Sequence, residues 1–193
     1  MANWCYTEYK IYGDKKQRDK LFNAIEELQS LPKPRVENGF GKLWLGCLLD
    51  YFGGDYNKLY CRGDINEYKQ HDGYLHMNTC TAWGECHEVR EYLEKVLPGI
   101  KIYYWAETEA NEIDTNDSQK VAFPWRYYLD TTYSDLDSDY YETLDDVAKY
   151  LNSRNIKCEP NVDSICQAIY DYQEEHDEEE FLELVIVNVD ENS

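Results

Sequence analysis

The chain has no apolar run approaching the roughly 20 residues of a membrane span, and no basic stretch leading into an apolar core follows Met1. These absences predict a cytoplasmic protein without a membrane partner. A disulfide framework is also missing. The seven cysteines (Cys5, Cys47, Cys61, Cys80, Cys86, Cys158 and Cys166) form an odd, irregularly spaced set, which predicts reduced thiols serving mostly as small core residues. The familiar catalytic signatures are lacking too: no G-x-S-x-G, G-x-x-x-x-G-K-[ST], H-E-x-x-H or G-x-G-x-x-G occurs. No cofactor and no catalytic residue is therefore predicted.

Positive charge is scarce, and most of all near the C-terminus. Residues 130–193 hold 3 Lys and Arg against 19 Asp and Glu, a net of −16, whereas residues 1–129 hold 16 against 20, so most of the chain's −20 lies in its last third. Such a field repels nucleic acid and anionic membranes and attracts basic proteins or cations. What the chain does have is length and aromatic content. Its 193 residues are 42% hydrophobic, enough for a packed core, and include 19 tyrosines suited to half-buried sheet surfaces.

Residues 4–12 alternate with the two-residue period of a strand, and Gly13 ends the run. Asp14 can cap a helix with Gln17 three positions on, and Leu21, Ile25 and Leu28 recur on one face until Pro32 and Pro34. Trp44, Cys47, Leu48 and Tyr51 mark an inserted helix near 43–54. Runs at 60–69 and 74–83 flank His71-Asp72-Gly73, an Asp-Gly hairpin signal. A helix over 86–97, stopped by Pro98-Gly99, and a strand from Ile100 complete the order β-α-β-β-α-β, in which two helices cover one face of an antiparallel sheet.

Beyond this ferredoxin-like domain at 1–108, the polar stretch 109–122 reads as a linker. Phe123, Trp125, Tyr127 and Leu129 alternate as a strand. Helices follow around Leu144, Val147, Ala148 and Leu151 and around Ile165, Ala168, Ile169 and Tyr172. The run from Phe181 to Val189 reads as a strand covered on both faces. The expected fold class is thus α+β, with an acidic β-α-α-β region at 123–193.

Four short motifs bear a likeness. Asn3-Trp4-Cys5, Gly13-Asp14 before the first helix, Thr81-Ala82-Trp83 before the second and the Pro98-Gly99-Ile100 re-entry resemble the YubB-like ferredoxin-fold family of phages, plasmids and other mobile elements. The resemblance covers roughly residues 1–108. It implies a fold and a mobile-element setting and transfers no functional residue. Glu107-Thr108-Glu109-Ala110-Asn111 stands where the family has a Glu-Pro-Gly turn.

Three constellations suggest chemistry. His76, Cys80, Cys86 and His87 are four zinc-type ligands, but their spacing is wider than that of the usual knuckles, so ordinary sheet and cap residues are expected and no metal. Asp135, Asp137, Asp139, Glu142 and Asp146 are spaced like the ligands of a calcium loop, yet Tyr140 stands where glycine is needed; the simpler expectation is carboxylates at a helix N-terminus. The run Glu174 to Glu180 carries six carboxylates in seven residues. Exposed strand aromatics such as Tyr103 and Trp105 would suit single-stranded RNA only in a basic setting, which this half lacks.

The function expected is that of a non-enzymatic binding or regulatory protein of a mobile element. Its partner surface is Asp135, Asp137, Asp139, Asp145, Asp146, Glu174, Glu175, Glu178 and Glu179, engaging a basic protein surface such as that of a nucleic-acid-binding protein, by imitation of nucleic acid. The alternatives are a metal-supported enzyme or a structural protein of a phage or element.

Overall fold

The computed structural model describes residues 3–176 and 179–190. The protein is α+β and divides into two compact units, Met1–Asn116 and Asp117–Ser193.

In the first unit, β1 (Trp4–Gly13) buries Cys5, Thr7, Tyr9 and Ile11 and turns the intervening residues outward, as its alternation predicts. Helix α1 (Lys15–Ser30) starts at Asp14, whose carboxylate accepts the Gln17 N–H at 2.9 Å, and buries Leu21, Ala24, Ile25 and Leu28. Each large apolar side chain among them contributes about 1.5–3 kcal/mol on leaving water. The inserted helix α2 (Leu45–Tyr51) adds Leu45, Leu48 and Leu49 to the same core. Strands β2 (Gly63–Gln70) and β3 (Leu75–Ala82) form the antiparallel hairpin signalled by Asp-Gly, with Gly73 at φ 91°. Helix α3 (His87–Val96) and β4 (Ile100–Thr108) follow.

Gly13 and Gly99 make a tight junction between the end of β1 and the start of β4. Gly13 has φ 100°, and a Cβ there would lie 2.1 Å from the Gly99 carbonyl oxygen, which accepts the Asp14 N–H at 2.9 Å. Only glycine satisfies both constraints.

The stretch read as a linker, 109–122, is not a plain loop: it contains β5 (Ile113–Thr115), antiparallel to β4. Three residues carry too little alternation to register as a strand. The Asn116 amide continues the ladder with its side chain, taking the Tyr104 N–H at 2.8 Å and donating to the Ile102 carbonyl at 2.9 Å. The strand order is β2-β3-β1-β4-β5, with every neighbouring pair antiparallel. Residues of α1, α2 and α3 share one apolar core with the inward-facing residues of the sheet.

The second unit begins with a turn built on a carboxylate. Asp117 is fully buried and accepts the N–H groups of Val121 (2.8 Å), Ala122 (2.5 Å) and Phe123 (2.7 Å). Strand β6 (Tyr127–Thr131) then pairs with β7 (Asp139–Tyr141) and, on its other side, with β8 (Leu182–Ile186). The region is therefore β-β-α-α-β-β, not β-α-α-β. Aspartate is a poor strand former, so β7 leaves no clear pattern in the sequence; the pairing of Tyr128 with Tyr140, rings stacked at 4.6 Å, supplies the cross-strand contact.

Helix α4 (Leu144–Ser153) is capped by Thr143, whose hydroxyl accepts the Asp146 N–H, and α5 (Val162–Glu174) by Asn161. Val147, Ala148 and Leu151 of α4 pack with Ile165 and Ile169 of α5, Leu129 and Leu182. The run from Phe181 to Val189 is not one strand covered on both faces: it breaks at Val187 into β8 and β9 (Asn188–Val189), and within β8 Leu182 and Val185 are buried, Leu182 against the core of α4 and α5, whereas Glu183 and Ile186 are exposed.

Candidate functional site

The acidic residues of the second unit are sorted by α4 into two groups. Asp145 and Asp146 occupy its first turn, where the positive end of the helix dipole favours them. Asp135, Asp137 and Asp139 do not join them there, contrary to the sequence expectation. The intervening chain turns back as β7, which carries Asp139, while Asp137 lies at the opposite end of α4: its carboxylate is 2.8 Å from Arg154 and its N–H donates to the Tyr150 hydroxyl. Glu174 ends α5 and Glu175 follows as its cap; Glu179 is exposed. Glu178 lies outside the described residues.

Asp135 is drawn to α5 by Tyr172, whose hydroxyl donates to its carboxylate at 3.3 and 3.4 Å. Tyr133 meets the Tyr172 ring edge-on at 5.1 Å, and His176 stacks on it at 3.9 Å, its Nδ1 2.7 Å from the Tyr172 carbonyl oxygen. Burial pushes the Tyr172 phenol up, and the charges of Asp135 and Glu180 add to the shift, so the hydroxyl keeps its proton and remains a donor.

Beside Tyr172 runs a groove of about 250 Å³, lined by Ile156, Lys157, Ala168, Asp171, Tyr172 and Glu175 among others. Its walls are apolar where Ile156 and Ala168 lie, and its carboxylates, Asp171 and Glu175, are one helical turn apart. Lys157 lines the groove as well, and its ammonium donates to the Asn152 carbonyl at 3.1 Å. A cationic side chain could lay its stem along the apolar wall and place its head between the carboxylates. Asp171 is absent from the residues that the sequence singles out. The i, i+4 spacing of Asp171 and Glu175 around Tyr172 is a signal for it, but the longer acidic run that follows masks it.

The zinc-type set does not converge. His76 and Cys80 are on the half-exposed face of β3, Cys86 is buried at the start of α3, and His87 is exposed. Among the described residues no group of three or more His, Cys, Asp or Glu is close enough to hold a metal ion. Nor are the strand aromatics open: Trp105 is buried and Tyr103 is half-buried, edge-on to Tyr12 at 5.9 Å. All seven cysteines are free thiols; Cys5, Cys47, Cys61 and Cys86 lie in the core, Cys80 and Cys158 are half-buried, and Cys166 is exposed.

Sequence reasoning misses a buried ionic network in the first unit. Glu85, between β3 and α3, accepts the Tyr9 hydroxyl at 2.9 Å and the Arg90 Nε–H at 3.3 Å, with side-chain exposures of 7% for Glu85 and 3% for Arg90. The Arg90 guanidinium also lies over the Tyr104 ring at 5.2 Å. Desolvation raises the Glu85 carboxyl above its ordinary range, with Arg90 and the Tyr9 hydrogen bond opposing.

Comparison with protein-family models, with curated proteins and with solved structures finds no match for the chain. No described helix is long and apolar enough to cross a membrane.

Proposed function

We propose that the chain is a binding protein that engages a basic protein surface, of the kind a nucleic-acid-binding protein presents, through the acidic face around Tyr172. The observation that carries this reading is the groove that Asp171 and Glu175 line together with Ile156, Ala168 and Tyr172, whose hydroxyl holds a third carboxylate, Asp135. The wider field agrees with it: residues 117–193 hold 20 Asp and Glu against 5 Lys and Arg, so an approaching cationic surface is steered toward this unit. The division of the carboxylates between the two ends of α4 favours a local cradle for cationic side chains over a long imitation of the phosphate backbone.

The reading of the first unit as a ferredoxin-like domain is part of the proposal. It is supported by the element order β1-α1-β2-β3-α3-β4, with α2 inserted, and by the strand order β2-β3-β1-β4. With it goes the mobile-element setting suggested by the short motifs.

The test is affinity capture from a host lysate by the full chain and by the triple variant Asp135→Asn, Asp171→Asn, Glu175→Gln, each eluted across a salt series. Recovery of basic nucleic-acid-binding proteins by the native chain and their loss from the variant supports the proposal. Equal recovery by both overturns it.

A further inference from the structure

In the first unit, four aromatic residues are exposed near the start of β1 and the end of β3. They are Trp4 (36% exposed), Tyr6 (52%), Tyr60 (38%) and Trp83 (61%). Bonds to the chain around Ala82 tie them together: Trp4 pairs with Ala82 and Tyr6 with Cys80, the Trp83 N–H donates to the Asn3 carbonyl at 2.6 Å, and the Tyr60 side chain donates through its hydroxyl to the Ala82 carbonyl at 2.6 Å. Large rings gathered at a surface are uncommon away from interaction sites, and Trp and Tyr dominate the energetics of protein interfaces.

Trp83 is also held in a conformation that its side chain disfavours. Its φ is 74°, in the left-handed region, where a bulky residue is an outlier. Hydrogen bonds on both sides hold the loop in this form. Besides the Trp83–Asn3 bond, the Thr81 hydroxyl donates to the Gly84 carbonyl at 2.7 Å, the His87 N–H donates to the Glu85 carbonyl at 3.0 Å, and the Glu85 carboxylate is anchored in the interior by Tyr9 and Arg90. An exposed indole fixed in a strained backbone by a buried ionic anchor has the form of a recognition element.

The surroundings name the partner's chemistry. Asp64 pairs with Cys80, itself the partner of Tyr6, and the Glu109 N–H donates to the Trp4 carbonyl at 3.1 Å, so both carboxylates border the Trp4–Tyr6–Cys80 surface. Glu109 further accepts the Trp4 N–H at 3.1 Å. Arg62 lies beside Ala82, whose N–H its carbonyl accepts at 3.0 Å. Aromatic faces bordered by carboxylates attract a planar cation and repel phosphate. We infer that this surface, with Trp83 at its tip, binds arginine side chains of a protein partner. The inference shares the premise of a basic partner with the proposed function, but it uses different residues and distinguishes arginine from lysine.

The experiment titrates the full chain with an Arg-Gly repeat peptide and a Lys-Gly repeat peptide of equal charge, followed by tryptophan fluorescence. The native chain is expected to bind the arginine peptide several-fold more tightly. In the double variant Tyr6→Ala, Trp83→Ala the two affinities should become equal, whereas in Asp135→Asn, Asp171→Asn, Glu175→Gln the arginine preference should persist even if both affinities fall. Equal binding of the two peptides by the native chain overturns the inference, as does an arginine preference that survives the aromatic substitutions. Tighter binding of an oligothymidylate than of either peptide would also overturn it, assigning the rings to base stacking. Failure of the capture experiment alone leaves the arginine preference intact and removes only the acidic-face reading.

Discussion

Replacing Glu85 with alanine should be the most damaging single change to the first unit. The substitution removes a carboxylate that is 7% exposed and leaves Arg90, 3% exposed, as a charge without its carboxylate partner, together with a Tyr9 hydroxyl that has lost its acceptor. Breaking a buried pair from one side costs about 3–5 kcal/mol, and the orphaned hydroxyl falls within that figure. Since a domain is stable by about 5–15 kcal/mol, the variant should unfold early in urea. Arg90→Met should cost less in acid, because a carboxyl can take up a proton whereas a guanidinium cannot release one.

The pH dependence separates these cases. The folded Glu85 carboxyl is raised above its ordinary 4.5, so its protonated form is favoured by folding. Its contribution is fully present below the unfolded value and is lost as pH rises through the folded value. Glu85→Gln keeps an oxygen for Tyr9 and removes this slope, and Arg90→Met steepens it by deleting the opposing charge. Urea unfolding of the three variants between about pH 4 and pH 8 checks the account. A loss under about 1 kcal/mol for Glu85→Ala, or a pH slope unchanged by Glu85→Gln, would refute it.

Trp83→Gly should raise the thermal midpoint, since glycine adopts φ 74° without the penalty of about 1–2 kcal/mol that a side chain incurs; it should at the same time lose the preference for the arginine peptide. Asp117→Ala should lower the stability of the second unit by about 2–4 kcal/mol, because the N–H groups of Val121, Ala122 and Phe123 lose a shared acceptor at a fully buried position. Hydrogen exchange at those three amides would accelerate ahead of the β6 amides.

The parts of the fold that are legible in sequence are those where one physical rule acts over a long enough stretch. The alternation of β1, the Asp14 cap with Leu21, Ile25 and Leu28 behind it, and the Asp72-Gly73 hairpin each place an element within a few residues of its observed bounds. Strands β5 and β7 are not legible. Each has three residues, and β7 opens on an aspartate, so pairing with β4 and β6 decides them rather than local pattern. The site divides in the same way. Acidic excess is visible in composition, but the meeting of Asp135 with Tyr172, 37 positions apart, depends on tertiary packing. Glu85 gives no signal at all, because burial of a carboxylate beside Arg90 follows from where α3 packs and not from its sequence neighbours.

The central claim is that the carboxylates around Tyr172 hold a basic protein surface, and its most direct test is the salt dependence of affinity for a protein captured by the chain. Exposed ion pairs weaken as the Debye length shrinks from about 10 Å at 0.1 M salt to about 3 Å at 1 M. The native chain should therefore lose affinity steeply over that range. Asp135→Asn, Asp171→Asn, Glu175→Gln should start weaker and lose less. Identical affinities and identical salt slopes for the two chains would contradict the claim and place the contact elsewhere on the molecule.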